Sequence, residues 1–250
     1  MSSALIFGGS GKCARHITRL LVSSSYTVHS IIRSPSQTSE LESLGAKPIV
    51  QSIEESSIDD FVSTIKSTNP SVVIWAAGAG GGNPERTRSV DQEGAIKCFD
   101  SIAKAGTCKR FIIISALDVR DRESKPEPEW YNDNDRQSSD RVWGAIGPYM
   151  HAKFAADRNL VTQNGRRGLE YTIVRPGRLT EDTARGTVAA GKVHLGEAVS
   201  REDVAHVVVA CIKNDGTRGM AFDVVGGDTP VEQAIAEVVK TQADTFAGRY

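Results

Sequence analysis

Apolar residues along the chain fall into short runs that alternate with helical patterns, and the order of these segments predicts a fold. Residues 4–7 form an apolar run short enough for a buried strand, which enters a glycine turn and is followed by a helical pattern with Ile17, Leu20 and Leu21 on one face. Residues 26–32 alternate and are rich in β-branched side chains, a second strand that ends at Arg33-Ser34-Pro35. A short helix over 39–44 closed by Gly45, a third strand over 47–51 and a helix over 58–66 capped by Ser56 or Ser57 come next. Residues 71–78 read as a fully buried strand running into glycine, 86–105 as a long helix stopped by Gly106, and 109–115 as a fifth buried strand.

The rhythm then breaks. Residues 118–141 hold eight acidic and five basic residues with Trp130 and Tyr131, and read as an excursion over the mouth of a crevice, a lid or a mobile surface insertion. A helix beginning at Tyr149 restores the pattern, a sixth strand ends at Arg175-Pro176-Gly177, and a helix follows over 201–212, with Asp203 in its first turn. A last strand spans 219–225, and Pro230 starts a closing helix after the cap Thr229. Strands alternating with helices over short connections predict an α/β chain: a Rossmann-type, doubly wound parallel sheet with helices on both faces and right-handed crossovers. One domain over 1–250 is expected, with an insertion at 118–146 and a small C-terminal substrate lobe at about 178–199.

Composition narrows the function classes. With 39% hydrophobic and 24% charged residues the chain is ordinary globular material, and a net charge of -1 offers no footprint for nucleic acid or a membrane surface. Cys13, Cys98, Cys108 and Cys211 form no C-x-x-C pair and have no histidines at metal spacing, so neither a disulfide framework nor a metal site is suggested. No apolar run approaches a membrane span and no secretory leader is apparent, so a reducing, cytoplasmic setting is expected.

The glycine turn changes the picture most. Gly8 would make the tight turn, Gly11 would admit a dinucleotide pyrophosphate to main-chain N–H groups at a helix N-terminus, and Ala14 would let that helix pack on its strand. The spacing G-x-x-G-x-x-A departs from G-x-G-x-x-G, and an ordinary strand-to-helix turn with no ligand is the plainer alternative. In a parallel sheet Gly8, Ser10, Gly11, Lys12, Cys13, Arg33, Ile53 and Ala76-Ala77-Gly78 all end at one edge, and the run of glycines at 78–82 is either room for the adenosine or a flexible loop. An acidic residue at the tip of the second strand suits NAD and an arginine suits the 2′-phosphate of NADP, so Arg33 favours NADP over NAD.

Tyr149 and Lys153 stand four apart on one helical face. A lysine ammonium beside a phenol stabilises phenolate and lowers its pKa toward the range of a general acid or base. Met150 and His151 would point away from that face, and His194 reads as a strand residue.

Here the chain resembles the short-chain dehydrogenase/reductase superfamily, and more closely its atypical branch of NAD(P)H-binding, NmrA-like and biliverdin-reductase-B-like proteins. The resemblance rests on residues 8–14, Ile32-Arg33, 76–78, 114–116, 149–153, 174–177, 200–205 and 222–230. It implies that Tyr149 is the catalytic acid/base, that Lys153 holds the nicotinamide ribose and lowers the tyrosine pKa, and that Pro176-Gly177 pass the nicotinamide. It also makes Ser115 the candidate catalytic hydroxyl, although the hydroxyl that meets substrate in extended members can correspond to Ala116 here. The expected activity is an NADP-dependent oxidoreductase or epimerase acting on a small carbonyl or hydroxyl compound, small or planar in preference to a sugar nucleotide. The alternative is a non-catalytic NADP(H)-binding redox sensor.

Overall fold

A computed structural model describes residues 2–81 and 83–250, so the last of the glycines at 78–82 lies outside the described residues. The first apolar run is β1 (Ser3–Phe7), and its period of two sends Ala4 and Ile6 into one core layer and Leu5 and Phe7 into the other. The chain continues through α1 (Lys12–Ser23), β2 (Thr27–Ile32), α2 (Thr38–Ser43) and β3 (Lys47–Val50). Next come α3 (Ile58–Thr68), β4 (Val72–Trp75), α4 (Pro84–Thr87), α5 (Ala95–Ala105) and β5 (Arg110–Ile114). The second half comprises α6 (Asp133–Arg167), β6 (Glu170–Pro176), β7 (Leu179–Thr180), β8 (Thr187–Gly191), β9 (Val199–Ser200), α7 (Arg201–Lys213), β10 (Met220–Gly226), β11 (Thr229–Pro230) and α8 (Val231–Thr241).

Nine strands form one sheet in the order β11-β8-β10-β6-β5-β4-β1-β2-β3, and of these nine only β8 runs against the others, pairing antiparallel with β10 on one side and β11 on the other. Helices α1, α7 and α8 cover one face, and α3, α5 and α6 cover the other, where Phe7 packs on Phe61 at 4.9 Å and on Trp75 at 5.4 Å between ring centres. The predicted doubly wound parallel sheet is the observed architecture. Every parallel strand ends at the same edge, and it is there that a crevice forms.

Three segments differ from their prediction. The helix expected over 86–105 is interrupted by a π-helical turn at Arg88–Gly94, which joins α4 to α5. Helix α8 starts at Val231, with Pro230 and not Thr229 at its N-cap position, and Thr229-Pro230 form β11, which pairs with β8 before the chain turns into the helix. Residues 133–146 are not irregular: they are the first half of α6, capped by Asn132 and bent at Ile146, just before Gly147-Pro148. The proline explains the bend, since its ring cannot follow a continuous helix. Residues 178–199 leave the main sheet only in part, for β8 rejoins it beside β10 while β7 and β9 pair apart.

Candidate active site at the strand ends

The turn after β1 depends on glycine at two positions. Gly8 has φ +76°, and a Cβ there would come within 2.5 Å of the Ala77 backbone at the end of β4. A Cβ on Gly9 would meet Ser30 Cβ of β2 at 2.5 Å, so this glycine closes the packing between neighbouring strands, a role the spacing did not indicate. Gly11 is the N-cap of α1; its N–H donates to Gly8 O at 2.9 Å, and Ala14 behind it is fully buried against the core. Helix α1 has no side-chain cap and no acidic residue in its first turn, whereas α3, α6 and α7 have both. Its first N–H groups therefore fit an anion such as a pyrophosphate.

Beside this turn lies a cavity of about 260 Å³ lined by Gly8, Ser10, Gly11, Arg33, Ile53, Ala76, Ala77 and Gly78. These eight predicted cofactor residues, scattered over seventy positions of sequence, thus share one wall. Gln37, Gln51, Glu54 and Arg86 also line it, Arg86 reaching Glu54 at 3.4 Å. Arg33 is exposed. Lys12 and Cys13 do not line this cavity: Lys12 pairs outward with Glu181 at 2.8 Å, and the Cys13 thiol is pushed up to about 11 by burial, against the pull of Arg201.

A second cavity of about 510 Å³ opens further along the same edge, at the ends of β5 and β6. Ser115, Tyr149, Pro176 and Gly177 line it. So does Met150, which is buried there instead of facing away. His151 is exposed and stands edge-on to Trp143, with ring centres 5.1 Å apart. His194 is not in a strand; its Nδ1 lies 2.6 Å from the buried carboxylate of Asp135, which also accepts from Leu195 N at 2.6 Å and so clips the 192–197 loop to the start of α6.

Tyr149 is half-buried, and the Lys153 ammonium sits 5.6 Å from the centre of its ring. Lys153 itself is buried; its Nζ donates to Ile114 O at 3.2 Å and pairs with Asp91 Oδ1 at 3.2 Å. Asp91 belongs to the π-helical turn and accepts from Ala79 N at 2.9 Å, fastening the loop after β4 to α6. One helical turn past Lys153, the fully buried Asp157 accepts from Ser115 Oγ at 2.5 Å. Burial works against the Lys153 charge, but Tyr149, Asp91 and Asp157 outweigh it and push the ammonium up to about 12. Lys153 pulls the Tyr149 phenol down as expected. Burial is stronger, Asp91 and Asp157 add to it, and the net direction for the phenol is upward, opposite to the expectation. Burial also raises Asp157, to about 6, despite the Ser115 hydrogen bond.

Sequence reading missed Asp91 and Asp157. Asp157 carries a usable signal, being four residues beyond Lys153 on the same face. Asp91 carries none, since its inward turn depends on the extra residue of the π-helical segment.

A helical start free of acid, a crevice at the strand ends and a tyrosine–lysine pair beside it define a dinucleotide-binding α/β protein. Residues 8–215 match the NAD(P)H-binding family model, and the chain belongs to that family. It is 37% identical over 240 residues to a UPF0659 protein of Schizosaccharomyces pombe, covering 96% of each. It is 32% identical to the uncharacterized sugar epimerase YhfK of Bacillus subtilis, over 93% of this chain and 98% of that protein. Among solved structures, a Bacillus halodurans protein provisionally assigned as an NAD-dependent epimerase/dehydratase superposes with a TM-score of 0.78 at 29% identity, covering 95% of this chain and 100% of that one. The family is oxidoreductase- and epimerase-like with a nicotinamide cofactor, and the resemblance to the atypical short-chain dehydrogenase/reductases stands. Among the described residues no helix is long and apolar enough to cross a membrane.

Proposed function

We propose that the protein is an NADP-dependent oxidoreductase, a reductase, dehydrogenase or epimerase, acting on a small carbonyl or hydroxyl compound. The observation that carries this reading is the placement of the Lys153 ammonium 5.6 Å from the Tyr149 ring, with Tyr149 lining a cavity at the same sheet edge as the glycine turn. The main-chain N–H groups at the start of α1 would hold the pyrophosphate, Arg33 the 2′-phosphate, and Lys153 the nicotinamide ribose, with Pro176-Gly177 beside the ring. When bound, the nicotinamide supplies or accepts a hydride.

Tyr149 supplies the proton that the substrate oxygen needs as the carbonyl carbon is reduced, and takes one back in the opposite direction. Burial pushes the phenol upward, so it enters protonated, the form that can give a proton to the substrate oxygen. Ser115, whose hydroxyl donates to Asp157, would act by holding that carboxyl, as a positioning residue.

The test is NADPH consumption with quinones, flavins, aldehydes and ketones, run for the wild type and Tyr149→Phe. Loss of about 100-fold or more in the variant supports the acid role; unchanged turnover overturns it. One observation favours a second reading, a cofactor sensor without turnover: Lys153 is divided between Asp91 and Tyr149, and the phenol is not activated at neutral pH. NADPH binding with no consumption of any compound supports the sensor.

A further inference from the structure

The larger cavity is dressed in a way that a nicotinamide enzyme does not need for its cofactor. Its wall is mostly apolar: Leu117, Val142, Ile146, Met150, Leu179 and Leu195. Val142 and Ile146 are 39% and 44% exposed, two of the four large hydrophobic residues left open to water among the described residues, and both face this one cavity. Exposing them has no stabilising consequence for the fold, so the gain comes when an apolar body covers them.

The polar groups of the wall are mostly committed elsewhere. Ser115 gives its hydroxyl to Asp157, and Ser139 gives its own to Asp118 at 2.5 Å. Asp118 further accepts from Arg120 Nε at 2.8 Å, Tyr131 Oη at 3.1 Å and Trp143 Nε1 at 3.1 Å. A polyhydroxylated ligand would find few free partners, and buried hydroxyls without partners cost affinity.

Besides the hydroxyls of Ser138 and Tyr149, two guanidinium groups are left free. Arg141 on α6 and Arg178 after β6 line the cavity, both are exposed, and among the described residues neither side chain makes a hydrogen bond or an ion pair. The third arginine there, Arg201, is held by Glu181 at 2.6 Å. Glu197 is the one lining carboxylate without a partner, so the free groups leave the wall net positive. A planar guanidinium fork matches a carboxylate in two parallel hydrogen bonds.

We propose that this cavity takes an apolar molecule bearing a carboxylate, recognised by Arg141 and Arg178, and that it does not take a sugar. The inference rests on the reading of this cavity as the substrate side of the site. It separates the chain from the sugar chemistry named for its Bacillus subtilis relative.

The probes are phenylpyruvate, its methyl ester and UDP-glucose, titrated by calorimetry into the protein loaded with oxidised NADP, which cannot reduce a ketone. Phenylpyruvate should bind ~10-fold or more tightly than its ester. Arg141→Gln and Arg178→Gln, both at exposed positions, should each weaken the acid by ~10-fold and leave the ester unchanged, and Glu197→Gln should tighten the acid. Equal binding of acid and ester, UDP-glucose binding more tightly than the acid, or no heat from any of the three overturns the proposal. The same titration without cofactor keeps the two readings apart: if NADP does not bind, the functional reading fails while the preference for acid over ester is still measured.

Discussion

Arg33 closes β2 at the rim of the smaller cavity, exposed and with Ser34 beside it, and Ser34 is occupied in capping the turn that follows. A guanidinium with no obligation to the fold can be removed without unfolding the chain. Arg33→Ala is therefore expected to weaken NADP by ~10- to 100-fold, with NAD changed little, as measured by calorimetry of both cofactors. Equal weakening of the two would remove the 2′-phosphate assignment. Asp157 offers a separate test by pH. Its carboxyl is raised from 3.8 to about 6, by burial first, so the folded chain holds the proton more tightly than the unfolded chain does. The stability this contributes is present below the ordinary pKa and is lost as pH rises through about 6. Asp157→Asn does not titrate, so its stability relative to wild type should rise between pH 4 and pH 7, by on the order of 2 kcal/mol in denaturant titrations. A difference that does not vary with pH would show that Asp157 keeps its charge when folded.

Elements that follow a single period are legible in the sequence: β1, β2, β4 and β5, the stop of α5 at Gly106, and the turn at Gly8. What was not legible depends on partners far away in sequence. The polar stretch at 118–141 looks irregular because its charged residues outnumber its apolar ones, yet Asp118 gathers Arg120, Tyr131, Ser139 and Trp143 around one buried carboxylate and so fastens the first half of α6 to the end of β5. That half is a wall of the larger cavity, so its order governs the site's shape. Asp118→Ala removes the buried partner of Arg120 and should cost ~3–5 kcal/mol. Loss of protection in hydrogen exchange is expected over 133–146, beyond the bend at Ile146, with 150–167 retaining its own. Uniform loss along α6 would mean that the two halves are a single unit and the bend carries no independence.

At the scale of the molecule, the cofactor-side cavity and the larger cavity share one sheet edge, and an ion group of Lys12, Glu181 and Arg201 links the start of α1 to the wall of the larger one. Lys12 begins α1 just past the glycine turn; Glu181 follows β7; Arg201 begins α7 and lines the larger cavity. Glu181 holds both cations, at 2.8 Å and 2.6 Å, and its own carboxyl is kept below the usual range first by the Lys12 hydrogen bond. The Tyr149–Lys153 pair and the glycine turn could be read because each lies within a dozen residues; this group spans the chain from 12 to 201 and no spacing announces it. Lys12 and Glu181 are exposed, so their pairing adds little to stability. We expect its weight to fall on the cofactor instead, because a pyrophosphate held at the start of α1 would compete with Glu181 for the same two cations. Glu181→Gln is expected to tighten NADP and NAD alike by ~3- to 5-fold at low salt, with the gain shrinking as salt screens Lys12 and Arg201, while the melting temperature changes little. Weaker binding of both cofactors would show the reverse: that Glu181 holds Lys12 and Arg201 where the pyrophosphate needs them.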